Sequence, residues 1–170
     1  TDLVTNNAIR ISEVICDGDD IYWLELRPNE SGRQVVVRLA PDGNMTDITP
    51  SEFNVRNRVH EYGGASYSVI NGVVYFCNYS DQRIYSQTPG KEPRALTPDT
   101  QLRYADLRLD AINQRLICVR EQHGGDEQGV VNSLAAIPLD GNSYGEVLIS
   151  GNEFYSNPRI SPDGRRMCWL

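Results

Sequence analysis

Apolar residues along this chain come in short runs and never form a helical stripe. The strongest runs are Ile21-Tyr22-Trp23-Leu24, Val74-Tyr75-Phe76-Cys77, Leu116-Ile117-Cys118-Val119 and Met167-Cys168-Trp169-Leu170. Runs of this length, rich in β-branched and aromatic residues and bounded by turn signals, predict strands. Their starts lie 53, 42 and 51 residues apart, the spacing of a repeat of four strands. Each run is apolar on both faces, as a strand in the middle of a sheet buried between two neighbours should be. No amphipathic helix is predicted; Ser51 to Asn54 is compatible with one short turn.

The turn residues follow the same period. Asp17-Gly18, Asn71-Gly72 and Asp163-Gly164 precede strong strands, with Ile112-Asn113 as the glycine-free equivalent. A second set follows in each block at Asp42-Gly43, Pro89-Gly90 and Asp140-Gly141. Asp-Gly and Asn-Gly pairs supply the positive φ angles of tight hairpins. Block endings echo one another at Asp47-Ile48-Thr49-Pro50, Ala95-Leu96-Thr97-Pro98 and Leu148-Ile149-Ser150-Gly151. The predicted fold is therefore all-β: a partial β-propeller of about three and a half four-stranded antiparallel blades. The blades are expected at about 9–50, 63–98, 104–150 and 158–170, the last one truncated.

An up-and-down blade puts its first and third turns at one end and its second turn and exit loop at the other. The tight turns all fall at the first end. The long polar segments, 29–32, 51–64, 99–103, 122–131 and 151–157, all fall at the second, so any functional groups are expected there. The densest of these segments runs from Asn54 to Gly64. It crowds Arg56, Arg58, His60 and Glu61 together and ends on Gly63-Gly64, with a strand expected over Ala65–Val69.

Composition narrows the partners. Sixteen basic residues against 23 acidic give a net charge of −7. That balance argues against nucleic acid and against an anionic membrane surface, both of which call for a basic face. Fifteen of the 16 cations are arginine, Lys91 being the exception, a bias without a functional account. No run approaches the length of a spanning helix. The chain begins without methionine and without a signal pattern, so a trimmed N-terminus is expected. Cys16, Cys77, Cys118 and Cys168 are dispersed, which predicts buried reduced thiols, a cytoplasmic setting and no metal. Sequons occur at Asn29, Asn44 and Asn78, the last in a predicted strand.

Catalytic signatures are missing. Gly64-Ala65-Ser66-Tyr67-Ser68 is the nearest approach to a nucleophile elbow, but it lacks the last glycine and leads into a strand. His123-Gly124-Gly125 has the composition of an oxyanion-hole loop without the parallel sheet such a loop needs; residues 124–127 read more simply as a mobile acidic loop. His60-Glu61 has no second histidine four positions on, so the zinc-protease pattern fails. Neither a phosphate loop nor a dinucleotide fingerprint is present. The residues thus predict no catalytic group, no cofactor and no metal site.

The stretch Phe53-Asn54-Val55-Arg56-Asn57-Arg58-Val59-His60-Glu61-Tyr62-Gly63-Gly64 resembles a segment in the propeller of the prolyl oligopeptidase family of serine peptidases. The likeness is strongest to its dipeptidyl-aminopeptidase and acylaminoacyl-peptidase-like branch. Supporting matches are Ile21–Glu25 with Arg33–Arg38, Val74–Phe76, Val131–Leu134 and Ile160–Arg166. The resemblance implies a non-catalytic propeller that restricts entry of short peptides to a C-terminal α/β-hydrolase domain, which lies outside this chain together with its catalytic triad. Within this segment Arg58, His60, Glu61 and Tyr62 are the substrate-gating candidates by position; no family motif assigns Glu61 the substrate's amine.

Two other readings compete. One is a stand-alone, TolB-like propeller that binds a protein. The other is a propeller lactonase with a central metal, for which the inner strands offer mainly Ser66, Ser68, Asp106, Arg108 and Ser161. Self-association is also expected, through the first-blade flank or a last hairpin that offers Met167–Leu170 to solvent.

Overall fold

A computed structural model describes residues 8–124 and 129–170. Among the described residues there are fourteen strands, in the order β1 (Arg10–Asp17), β2 (Asp20–Arg27), β3 (Arg33–Leu39), β4 (Met45–Asp47), β5 (Tyr67–Ile70), β6 (Val73–Cys77), β7 (Ile84–Gln87), β8 (Arg94–Ala95), β9 (Leu102–Asp110), β10 (Arg115–His123), β11 (Val130–Pro138), β12 (Glu146–Ser150), β13 (Arg159–Ile160) and β14 (Met167–Cys168). They form three four-stranded antiparallel sheets in sequential order, and β13 and β14 form a two-stranded sheet. This is a partial β-propeller of about three and a half blades. Helix is confined, among the described residues, to one 3₁₀ turn at Pro28–Glu30.

The core lies between the blades. Tyr22, Leu24 and Val36 of the first blade meet Tyr67, Val69, Val74 and Phe76 of the second. Tyr75, Cys77 and Ile84 of the second meet Leu107, Leu116 and Cys118 of the third. β6 and β10 feed both of their faces into such layers, whereas β2 buries Tyr22 and Leu24 against the second blade and packs Trp23 on Val35 and Val37 of its own blade.

Asn71 and Gly72 both take positive φ, 49° and 75°, as a two-residue hairpin of this kind requires. The glycine-free turn differs from expectation. Asp110 pairs with Arg115 across a four-residue connection, Asn113 donates its N–H to Asp110 Oδ1, and Gln114 takes φ 52°. With no glycine available, the chain spreads the reversal over more residues and closes it with a carboxylate.

Three further expectations are corrected. The strand expected at Ala65–Val69 begins at Tyr67. The N–H groups of Ala65 and Ser66 go instead to the carboxylates of Asp106 and Glu13, at 2.8 and 3.0 Å. Only two of the four free thiols are buried: Cys77 and Cys118 sit between blades, whereas Cys16 and Cys168 are exposed. In the last hairpin Met167 turns inward onto the cluster of Val59, Val119, Leu134 and Tyr155, whereas Trp169 and Leu170 stay exposed as expected. The expected features at residues 1–7 and in the loop at 125–128 lie outside the described residues.

Candidate functional site

The long connection between the first two blades is built as a clamp. It wedges between them: Val55 donates its N–H to Gln34 O and pairs with Asn78. Buried Asn57 then closes the loop on itself. Its amide nitrogen donates to Gly64 O and Ser66 Oγ, both at 3.0 Å, while its oxygen accepts from the N–H groups of Gly64 and Val59 at 3.0 and 3.2 Å. Gly63 has φ 87°, and a Cβ there would lie 3.1 Å from Asn57 O, so glycine is needed both for conformation and for space.

Between these anchors the backbone is strained. His60 and Glu61 lie consecutively in the left-handed region, at φ 54° and 64°. Each such non-glycine residue costs about 1–2 kcal/mol. The compensation comes from the third blade. Glu121, on β10 and 4% exposed at its side chain, accepts the His60 N–H at 3.0 Å. The same carboxylate meets His123 Nε2 at 2.9 Å and Arg103 Nη1 at 3.4 Å. Arg103 Nη1 also donates to Arg58 O at 2.9 Å and to Glu61 Oε1 at 2.6 Å. Both histidines of the chain thus converge on one buried carboxylate.

The four sequence candidates take different places. Arg58, Glu61 and Tyr62 project outward, with Glu61 67% exposed at its side chain and Tyr62 73% exposed overall. Arg103, and after it Arg58, hold the Glu61 carboxyl below the usual range. His60 turns the other way. Its ring stacks on Phe154 at 4.2 Å and lies 5.9 Å from Tyr62, with Nε2 3.3 Å from Tyr155 O. Beside these rings is a cavity of about 320 Å³, lined by Val59, Tyr62, Ala105, Asp106, Val119 and Phe154 among others.

Sequence reasoning missed Glu121, Arg103 and Phe154. Their only sequence signal is position: each lies at the end of the blades where the long connections gather. Asp106, counted among the inner-strand polar residues, is committed to holding blades together. Its two carboxylate oxygens accept from Ala65 N and Asn157 N, each at 2.8 Å. Ser66 is buried, and its hydroxyl donates to Gly64 O and accepts from Asn57. Among the described residues, no three His, Cys, Asp or Glu side chains gather as a metal ion would require. No described helix is long and apolar enough to cross a membrane.

No protein-family model matches the chain, and no curated protein does. Solved structures do. A puromycin-hydrolysing peptidase of Mycobacterium tuberculosis superposes with a TM-score of 0.87 at 36% identity, over 98% of this chain and 28% of that one. A puromycin hydrolase superposes at 0.89 and 34% identity, over 99% of this chain and 28% of its own length. A structure provisionally assigned as a gluconolactonase, at 0.57 and 14% identity, shares the fold alone. The chain thus spans less than a third of the two peptidases it resembles in sequence. Along nearly its whole length it matches the N-terminal propeller of such puromycin-hydrolysing peptidases, which are members of the prolyl oligopeptidase family.

Proposed function

We propose that this chain is the non-catalytic, substrate-gating propeller of a serine peptidase acting on short peptides and aminoacyl amides, in the dipeptidyl-aminopeptidase and acylaminoacyl-peptidase-like branch. Its partner in this reading is a C-terminal α/β-hydrolase domain of the same protein, and its setting is the cytoplasm. The observation that carries the reading is the strained His60–Glu61 turn. Backbone strain that a neighbouring blade must hold in place serves to fix side chains in a set direction. Here it presents Arg58, Glu61 and Tyr62 at the end of the blades where the long connections gather. Puromycin, which the relatives hydrolyse by name, is the first substrate to try.

The experiment uses the full-length protein that carries this chain. Puromycin and a series of lengthening peptides are hydrolysed by the unmodified protein and by Glu61→Gln and Tyr62→Ala variants. The expected result is an altered ratio of kcat/KM between short and long substrates, with no loss of the chemical step itself. Length selectivity unchanged in both variants would overturn the gating role. Sequencing downstream is expected to find G-x-S-x-G, followed by an aspartate and then a histidine.

A further inference from the structure

We infer that the cavity beside Tyr62, His60 and Phe154 is a subsite for a single uncharged planar ring, the side chain of an aromatic residue in a peptide or aminoacyl amide. The inference rests on the reading of this face as the one that meets peptides, and it adds what the face selects.

Tyr62 and Phe154 are far apart in sequence and come from different blade connections, yet they line one cavity and remain 73% and 48% exposed. Large aromatic side chains left open at a concavity gain from being covered, and stacked or edge-on ring contacts add to that gain. The wall between them is fixed in advance. The His60 ring stacks on Phe154 with planes 23° apart, its Nε2 lies against Tyr155 O, and its backbone N–H is held by Glu121. A wall already ordered costs little further entropy on binding.

Charge decides the chemical class. The apolar lining comes from Val59, Ala65, Ala105 and Val119. The one carboxylate in the lining, Asp106, has each oxygen already accepting a backbone N–H. At 6% exposure it presents little surface to an ammonium group or a cation, and an uncharged ring suits the cavity better. A volume of about 320 Å³ lies at the small end of ligand pockets, enough for one ring rather than a length of chain.

The test titrates the full-length protein that carries this chain, isotope-labelled at its aromatic residues, with phenylalaninamide and with alaninamide, which carry the same amine and amide and differ by the ring. Phenylalaninamide is expected to shift the signals of Tyr62, His60 and Phe154 saturably, and alaninamide to leave them in place. Phe154→Leu keeps apolar bulk but removes the ring, and should weaken binding about three- to tenfold. Glu121→Ala, outside the cavity, should weaken it as well, and Glu121→Gln, which keeps an acceptor for His60 N–H, should restore it to within about twofold. Equal shifts from both amides, no saturable shift at these three rings, or unchanged affinity in Phe154→Leu would each overturn the subsite. If ring binding fails while Tyr62→Ala still alters length selectivity in the full-length protein, the subsite falls and the gating role stands. The opposite pattern removes the gating role and leaves the subsite.

Discussion

The backbone N–H of His60 donates to Glu121 Oε1 at 3.0 Å across 61 residues of sequence. That bond joins the loop ahead of the second blade to the second strand of the third, and it falls on the first of two consecutive left-handed residues. The direction taken by Glu61 and Tyr62 is thus set from a neighbouring blade.

Removing that carboxylate should release the turn. A hydrogen bond to a charged acceptor contributes about 1.5–3 kcal/mol, so Glu121→Ala should lower the melting temperature and speed exchange at the His60 amide at least about tenfold. Glu121→Gln, with its amide oxygen in place, should recover most of the protection. Equal exchange at His60 in the unmodified and alanine chains would show that the loop holds itself.

Gly64 permits a close approach of two blades. A Cβ there would lie 2.9 Å from Asp106 Oδ1 and 3.0 Å from Ala105 Cβ, and neither neighbour is free to move. Gly64→Ala should therefore destabilise by about 1–3 kcal/mol, the cost of overpacking. Denaturant unfolding followed by tyrosine and tryptophan fluorescence reads it directly.

Glu13 gives a pH dependence with a defined sign. Burial raises its carboxyl above the ordinary 4.5, against the opposing N–H of Ser66. The folded chain therefore binds more protons than the unfolded chain from about pH 4.5 up to the folded pKa. Glu13's contribution to stability is fully present below that window and is lost as pH rises through it. The melting temperature of the unmodified chain minus that of Glu13→Gln should fall over this range. A difference that rises with pH would contradict the assignment.

The four thiols should divide into two pairs. Burial pushes the Cys118 thiol up to about 12 and the Cys77 thiol well above its ordinary value, and Cys77 Sγ also donates to Tyr104 O at 3.1 Å. A thiol reagent at neutral pH should label Cys16 and Cys168 at once, and Cys77 and Cys118 only on unfolding.

Self-association of this chain should run through the outer face of its first blade. Ile11, Val14 and Met45 are exposed on that blade, and Trp23, Val35 and Val37 form a separate cluster within it. The last hairpin adds a smaller exposed surface, Trp169 and Leu170, since Met167 packs inward. Sedimentation at micromolar concentration should show association that Ile11→Asp abolishes; a monomer throughout would exclude it.

Much of the fold was legible because a blade is made of local hairpins. The period of the apolar runs, the Asp-Gly and Asn-Gly turns and the two-sided burial of β2, β6 and β10 all follow from residues close in sequence, and about three and a half blades is what forms. The loop over Asn54–Gly64 stood out for its density of charge and its paired glycines. Its geometry did not, because Asn57, a residue with no motif to mark it, does the closing.

By itself, then, the sequence determined the repeat, the antiparallel order and the end of the blades where long connections gather. The tertiary structure alone decided which residues from different blades meet: His60 on Glu121, Glu61 on Arg103, His60 stacked on Phe154, and Ala65 and Asn157 on Asp106. The physical reason is range. Turn chemistry and strand periodicity act over a few residues, whereas these contacts depend on how far each blade rotates relative to the next. That rotation is set by the apolar layers packed between them, which no single segment specifies.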